Sequence, residues 1–551
     1  MVYKIQQVET TSYSDQKPGT SGLRKQVKYL TSKINYVENF IQSIYNAIDD
    51  KSVIVCGGDG RFYSDAVIDK VVKISAANGI EKLIIGKNGI LSTPAVSSII
   101  REKKASGGII LTASHNPGGP DGDFGIKFNG KNGGPATEIF EESKSIKSYS
   151  ICKDLEVKID QIESKTFEIE NNKKFTVEII DSIETYLNLM KEIFDFNKIK
   201  TFLSKGDFNI LIDSLNGVMG PYTEKVFVDE FGLDKKCLRN YKPLPDFGGL
   251  HPDPNLTYAK GLLDEMKTGV YDFGAAFDGD GDRNMILGKD GFFVTPSDSL
   301  AVIGANLKLI PYFKKTGVHG FARSMPTAPA IDQVAKKLGL KCFEVPTGWK
   351  FFGNLMDEKL ISLCGEESFG TGSDHIREKD GLWTVLCWLS ILAEKGTNDR
   401  ASVSEIVNEH WKIYGRNFFT RYDYENCETK GCDLLMEHLN NYVQNKSLEN
   451  KLFPTNITDL SQCYVVEKVD NFEYLDCGIR IIFKDGSRII LRLSGTGSTN
   501  ATLRLYIDRY TKNEFLYTEE TSKVLETLVK IALDLAKVET FTGMKEPTVI
   551  T

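Results

Sequence analysis

Short apolar runs recur along most of the chain, each closing on a glycine-rich or charged loop before a helical periodicity begins. Residues 52–56 (SVIVC) form such a run and end at GGDGR, a pattern that predicts a buried strand. Ser64 then predicts the N-cap of a helix reaching about Ala77, with Asn78-Gly79 as its stop. A second strand is expected over 83–86, a helix over roughly 93–104, and a third strand at GGIILT (107–112). Strands alternating with helices require crossover connections and predict a largely parallel sheet.

The same grammar returns further on. FNILID (208–213) runs into SLNGVMGPYTEKVFVDEFG, which reads as a loop and then a helix, and FGAAFD (273–278) is a strand emptying into an Asp-Gly loop. GVHGFARS (317–324) precedes the helical stretch PAIDQVAKKLG, and LISLC (360–364) empties into GEESFG. The texture changes after about residue 405. A polar helical segment (431–448), a strand pair turning at Asp485-Gly486 and a final helix (518–536) predict a separate α+β domain. The expected domains are 1–190, 191–305, 306–405 and 406–551. Ligands of open α/β sheets collect beyond the carboxyl ends of strands. The loops at 113–125, 278–283 and 365–372 fall there, so they are expected to line one cleft.

Composition narrows the function classes. The 551 residues are 41% hydrophobic and 26% charged, which fits a globular chain of roughly three or four domains. Lys and Arg number 68 against 75 Asp and Glu, a net charge of -7 that disfavours nucleic acid or an anionic membrane as partner. No run approaches the about 18 apolar residues of a membrane span. The opening MVYKIQQVETTSY lacks a secretory core, and ten scattered cysteines include no CxxC pair. A reducing, cytoplasmic setting is expected.

Four loops carry candidate chemistry. In Asp278-Gly279-Asp280-Gly281-Asp282-Arg283, three carboxylates at alternate positions can curl onto one point, a hard-cation site suited to Mg2+ shared with a phosphate. An EF-hand is excluded, because Arg283 stands where Gly is required and Lys289 where the bidentate Glu belongs. In Thr112-Ala113-Ser114-His115-Asn116-Pro117, a serine on a tight loop at a strand end suits a nucleophile or phosphate acceptor. On local sequence alone an ordinary Asn-Pro turn is the better reading, and no GxSxG elbow supports a Ser-His-Asp hydrolase. Arg492-Leu493-Ser494-Gly495-Thr496-Gly497-Ser498, with Arg504 beyond, suits an anion grip or a plain hairpin loop. No GK[ST] P-loop occurs in the chain. Gly365-Glu366-Glu367-Ser368 offers side chains for sugar hydroxyls, but by itself a Glu-rich turn is usually solvated surface.

Together TASHNP, DGDGDR, GEESFG and RLSGTGS, in this order, resemble the α-D-phosphohexomutases, in their phosphoglucomutase (parafusin-like) branch. The resemblance runs from DQKPGTSGLRK at 15–25 to PTVIT at 547–551. It implies an α/β fold class: three related α/β domains with mixed sheets around a central cleft, plus a C-terminal α+β domain. It implies interconversion of glucose 1-phosphate and glucose 6-phosphate, with Mg2+ and with glucose 1,6-bisphosphate as activator and intermediate. By the same resemblance Ser114 is the phosphorylated serine and a metal ligand with Asp278, Asp280 and Asp282. Glu366 and Ser368 would read the sugar, with Thr347 and Gly348 nearby, and Ser494, Thr496 and Arg504 would grip the phosphate not being transferred. Arg24, His115, Lys127, Arg283 and Lys379 match positions for charge stabilisation or proton transfer, and the general base stays open between His115 and Lys379. Two rivals are a mutase for another sugar phosphate and a non-enzymatic scaffold in trafficking or exocytosis. The sequence assigns no oligomeric state.

Overall fold

Val53–Gly58 shows why the apolar runs become inner strands. It lies parallel to Lys82–Ile90 on one side and Gly107–Leu111 on the other, with Ile54, Val55 and Cys56 fully buried. Parallel neighbours need long crossovers, and the helices Ser64–Ala77 and Thr93–Lys103 supply them. Ser92 caps the second helix, accepting from the Ala95 N–H at 3.2 Å. Ser64 does not cap the first. It is the first helical residue, while Tyr63, left-handed at φ 81°, occupies the cap position without a side-chain bond. The turn at 61–64, closed by Ser64 N–H to the Arg61 carbonyl (3.1 Å), displaces the helix start by one residue.

The structure, a computed structural model, describes residues 1–17, 19, 22–136, 145–395, 402–454, 463–471, 478–494 and 500–551. They fall into two units: 1–296 with 305–320 and 348–403, and 297–304 with 321–347 and 404–551. No helix among the described residues is long and apolar enough to cross a membrane.

In the first unit an eight-stranded sheet runs Val2–Tyr3, Ser164–Ile169, Lys173–Ile180, Lys82–Ile90, Val53–Gly58, Gly107–Leu111, Asp123–Gly130, Leu23–Gln26. Its centre is parallel, as the alternation predicts, but Asp123–Gly130 returns antiparallel to Gly107–Leu111, and Leu23–Gln26 antiparallel to that. The sheet is therefore mixed. A five-stranded sheet repeats the device: Phe273–Phe277 is parallel to Ile210–Asp213, and Asn284–Gly288 returns antiparallel beside it. The expected strand over 360–364 is displaced to Leu363–Glu366, which pairs with Gly370–Ser373 through a tight turn. Glu366 thus ends a strand rather than sitting in a loop, because Glu366 pairs with Gly370 and Phe369 takes the left-handed turn at φ 67°. The helix after FNILID starts at Met219 and widens into a π-helix over Glu224–Glu230.

In the second unit a seven-stranded antiparallel sheet includes Arg416–Glu428, Ile479–Phe483, Arg488–Ser494 and Asn500–Thr511. Helices Thr429–Asn445 and Thr521–Ala536 bury Leu435, Leu439, Leu525 and Leu528 in one cluster with Leu491 and Leu505 of the sheet. Segment 321–347 belongs with this sheet for an electrostatic reason. Glu344 accepts from Arg323 at 2.8 Å and from Arg480 at 2.6 Å, while Arg488 donates to the Met325 and Thr327 carbonyls. The sequence block 306–405 is thereby divided between the two units.

Candidate active site

The contacts of the serine loop, of the aspartate loop and of the cations around them lie within the first unit. Strand Gly107–Leu111 ends in the loop that carries Ser114, and the antiparallel return at Asp123 ties down the loop's other end. Ser114 adopts φ 54°, left-handed backbone that costs a residue with a Cβ about 1–2 kcal/mol. Its N–H donates to Thr112 Oγ1 at 2.7 Å and its carbonyl accepts from Arg61 Nη2 at 2.8 Å. Arg61 also donates to the Asp123 and Asn116 carbonyls, and it is paired with Asp59, both side chains fully buried. The loop is therefore clamped at both ends and in the middle. Ser114 Oγ, so held, lies 3.0 Å from Asp278 Oδ2 and 3.3 Å from His115 Nδ1.

The aspartate loop is the equivalent return in the second sheet. Gly281 takes φ 77°, Gly279 N–H donates to the Pro252 carbonyl, and Val218 N–H donates to the Gly279 carbonyl. Asp278, Asp280 and Asp282 each point one oxygen to a common region, all within 4.8 Å of one another. Two ionised carboxylates at that distance repel by about 3 kcal/mol at an effective dielectric of about 20. Burial, with Asp280 and Asp282 beside it, holds the Asp278 carboxyl well above the usual range, whereas Asp280 is lowered against burial by bonds from Thr93 and Asp278. Asp280 Oδ1 and Asp282 Oδ1 are buried without a hydrogen-bond partner. Two such open oxygens, with Asp278 converging on the same region, fit a hard divalent cation.

Cations surround this trio. Lys379 Nζ lies 3.0 Å from Asp282 Oδ2. Burial would lower the Lys379 pKa, but Asp282, Glu366 and Asp278 reverse the shift and raise it. Arg283 Nε is 3.8 Å from Asp282 and 3.9 Å from Asp278. Arg24, on the edge strand Leu23–Gln26, is lowered by burial and by Arg283, and also feels Asp280, Arg61 and Asp282. Lys127 pairs with the buried Glu378, which also accepts from Asn129 Nδ2 at 2.9 Å. Glu366 lies beside Lys379, accepts from Gly348 N–H at 3.2 Å, and is raised by burial. Ser368 is half-buried on the hairpin turn, and the Phe369 carbonyl accepts from Asn284 N–H at 3.0 Å. Ser114, His115, Arg24, Lys127, Arg283, Gly348, Glu366 and Lys379 are thus gathered around one carboxylate cluster.

The remaining expected residues lie elsewhere in the chain. Thr347, which precedes Gly348, buries its Oγ1 without a hydrogen-bond partner. In the second unit Ser494 ends strand Arg488–Ser494, and Arg504 faces Arg492 across the pair, its Nε 3.8 Å from Asp423. Thr496 lies outside the described residues.

Four contributors carry no weight in the sequence pattern: Asp59, Arg61, Thr93 and Glu378. DGR after a strand was legible only as a loop, although a carboxylate and a guanidinium two apart beside a strand end can form a local pair. Thr93 Oγ1 donates to Asp280 at 2.7 Å across 187 residues, and nothing local signals that contact.

Comparison with known proteins agrees along the whole chain. Family models for phosphoglucomutase/phosphomannomutase alpha/beta/alpha domains I, II and III match residues 15–149, 184–291 and 296–414. The model for the phosphoglucomutase-1 C-terminal domain matches 416–548. The chain is 56% identical to phosphoglucomutase-1 of Bos taurus and 51% identical to phosphoglucomutase 1 of Drosophila melanogaster, in each case over 100% of both sequences. It is similar to the crystal structure of the Paramecium exocytosis-sensitive phosphoprotein pp63/parafusin (phosphoglucomutase), open form. That match has a TM-score of 0.88 at 45% identity over 100% of both chains.

Proposed function

The chain belongs to the phosphoglucomutase/phosphomannomutase family, and we propose that it works as a phosphoglucomutase through a phosphoserine at Ser114. The reaction is the reversible interconversion of glucose 1-phosphate and glucose 6-phosphate, with glucose 1,6-bisphosphate as the intermediate. The observation that carries the reading is Ser114 Oγ resting 3.0 Å from Asp278, inside a ring of lysine and arginine side chains.

In the forward half-cycle the phosphorus–oxygen bond at Ser114 breaks as a new one forms to the free sugar hydroxyl. The hydroxyl proton passes to a side chain of the site, and Ser114 Oγ is left to be phosphorylated again. His115 and Lys379 are the two candidates for that proton: His115 Nδ1 lies 3.3 Å from Ser114 Oγ, whereas Lys379, its pKa raised against burial by Asp282, must first give up its own. The bisphosphate then reverses, and its other phosphate returns to Ser114. Arg24, Lys127 and Arg283 offset the charge of the moving phosphoryl group, the kind of preorganised stabilisation phosphoryl transfer depends on. Asp278, Asp280 and Asp282, with the Ser114 oxygen or its phosphate, would hold Mg2+, which supplies charge neutralisation at the transferring group. Glu366 and Ser368, beside Thr347 and Gly348, present acceptors to the hexose hydroxyls in either orientation. Ser494, Thr496 and Arg504 hold the phosphate that is not reacting. The family spans support four domains near 1–190, 191–305, 306–405 and 406–551. Free cysteines at eight described positions support a cytoplasmic setting.

A coupled assay for glucose 6-phosphate formation from glucose 1-phosphate, with and without chelator, tests the activity. Ser114→Ala tests the phosphoserine: turnover should vanish, and the purified protein should lack a phosphoryl group by intact mass. Full activity of that variant would end the proposal. Competition by mannose 1-phosphate separates this enzyme from a mutase for another hexose.

A further inference from the structure

One segment outside the catalytic set touches both reactive loops. Phe247 is fully buried, its ring 5.1 Å from the Arg61 guanidinium. The same ring crowds Gly118 of the serine loop, where a Cβ would come within 2.9 Å of it, and touches Gly279 of the aspartate loop, where a Cβ would lie 3.1 Å from the ring and 2.6 Å from the Ser114 carbonyl oxygen. Five residues on, the Pro252 carbonyl accepts from Gly279 N–H at 3.1 Å. Asp253 follows, buried, with Oδ1 3.6 Å from Arg283 Nη1 and Oδ2 accepting from Asn255 Nδ2 at 2.9 Å. Between them His251 lays its half-buried ring parallel to His115, the planes 13° apart and the centroids 6.3 Å apart, and its other flank against Tyr258 at 3.9 Å. The His115 main chain lies within hydrogen-bonding reach of the same ring.

We propose that His251 is a positioning residue: with Phe247 and Pro252 it forms a strut that holds His115, and so Ser114, at a set distance from the aspartate trio. The inference rests on the phosphoserine reading of Ser114. His251 meets the loop from the side, through a ring face and a polar edge. Phe247 and Pro252 fix the opposite side of the gap by packing on Gly279. Losing the ring lets the serine loop move relative to Asp278, while the clamp from Arg61 keeps the loop folded. A displacement of about 1 Å at a reacting atom costs up to about 100-fold in rate.

The test is steady-state kinetics of the full-length enzyme carrying His251→Ala, His251→Phe or His251→Gln. The expected result is a kcat for the Ala variant about 10–100-fold down, with KM for glucose 1-phosphate within about twofold of wild type. His251→Phe, which keeps the ring but loses the polar edge, should fall between, and His251→Gln, which restores a polar edge, should recover part of the loss. The Phe and Gln variants keep the test decisive if the Ala variant folds poorly. Unchanged kcat in all three, or loss of kcat that follows loss of folded protein, would overturn the inference. Ser114→Ala separates the two readings: if it abolishes turnover while the His251 variants match wild type, the strut fails and the phosphoserine stands. If Ser114→Ala remains active, the phosphoserine reading itself fails.

Discussion

Arg61→Met removes the cation facing Asp59, and the structure sets the size of the effect. Both side chains are 0% exposed, and Arg61 meets Asp59 through Nε and Nη2 at 2.9 Å. Removing one partner of a buried pair leaves an uncompensated charge and costs about 3–5 kcal/mol. The loss also strips donors from the Ser114 and Asp123 carbonyls, both at 2.8 Å. About 4 kcal/mol is roughly a thousandfold in the folding equilibrium. Asp59 already has its pKa raised by burial, with Arg61 and Thr112 opposing. Without Arg61 the shift grows, so the native state binds more protons than the unfolded chain above the ordinary value of 3.8. Stability then falls as pH rises, and the deficit of Arg61→Met must shrink on acidification. Asp59→Asn in the same chain should restore much of the loss, because the buried charge is gone. Urea unfolding followed by tryptophan fluorescence is the assay, since Trp349, Trp383 and Trp388 lie in the first unit and Trp411 in the second. An unchanged midpoint for Arg61→Met, or strictly additive single and double variants, would refute the clamp.

Two further outcomes follow from the carboxylates and from the second unit. Asp278 is held protonated well above its usual range by burial, then by Asp280 and Asp282, so metal-free protein should lose stability as pH rises above about 3.8. A cation that replaces the proton should stabilise more at higher pH, by about 2.7 kcal/mol at a hundred times its Kd. Thermal melts with MgCl2 or chelator at about pH 6 and about pH 8 check this. Asp280→Asn should blunt the response, and a Tm indifferent to Mg2+ at both pH values denies the site. Arg504→Ala should raise KM for the hexose phosphate about 10–100-fold, the loss of one charged contact worth roughly 1.5–3 kcal/mol. Its melting curve, recorded alongside, separates a lost phosphate contact from lost folding. Unaltered KM would remove Arg504 from the phosphate grip.

The sequence was legible where structure is local. Alternate Asp and Gly at 278–282 dictate a backbone curl whatever surrounds it, and the three acids do converge. TASHNP after an apolar run likewise puts Ser114 at a strand end. The helices Thr93–Lys103, Ala330–Leu338 and Thr521–Ala536 fall close to their periodicities. Partners decided by distant chain were not legible. Thr93 reaches Asp280, and Lys127 reaches Glu378 across 251 residues. No window of sequence holds both members of either pair. The displaced strand at 363–366 has the same origin. Residues 360–362 are as apolar as the strand itself, and only pairing with Gly370–Ser373 selects which of them join the ladder.

That difference bears on how the site is built. Alternation of strands and helices places the three chemical loops in crossovers, where one end of a loop rests on a helix. Each is instead the return of an antiparallel strand pair: Gly107–Leu111 to Asp123–Gly130, Phe273–Phe277 to Asn284–Gly288, and Leu363–Glu366 to Gly370–Ser373. Both ends of such a loop are fixed by the hydrogen bonds of one ladder, so its middle has little freedom. Left-handed residues at Ser114 and Phe369 then cost backbone energy that the ladders can sustain, while Gly281 takes its φ of 77° without a Cβ penalty. A cycle in which one serine must give a phosphoryl group to one end of a sugar and take another from the opposite end, as proposed above, gains from this rigidity. On that proposal the sugar turns, while the serine and the carboxylates stay where they are.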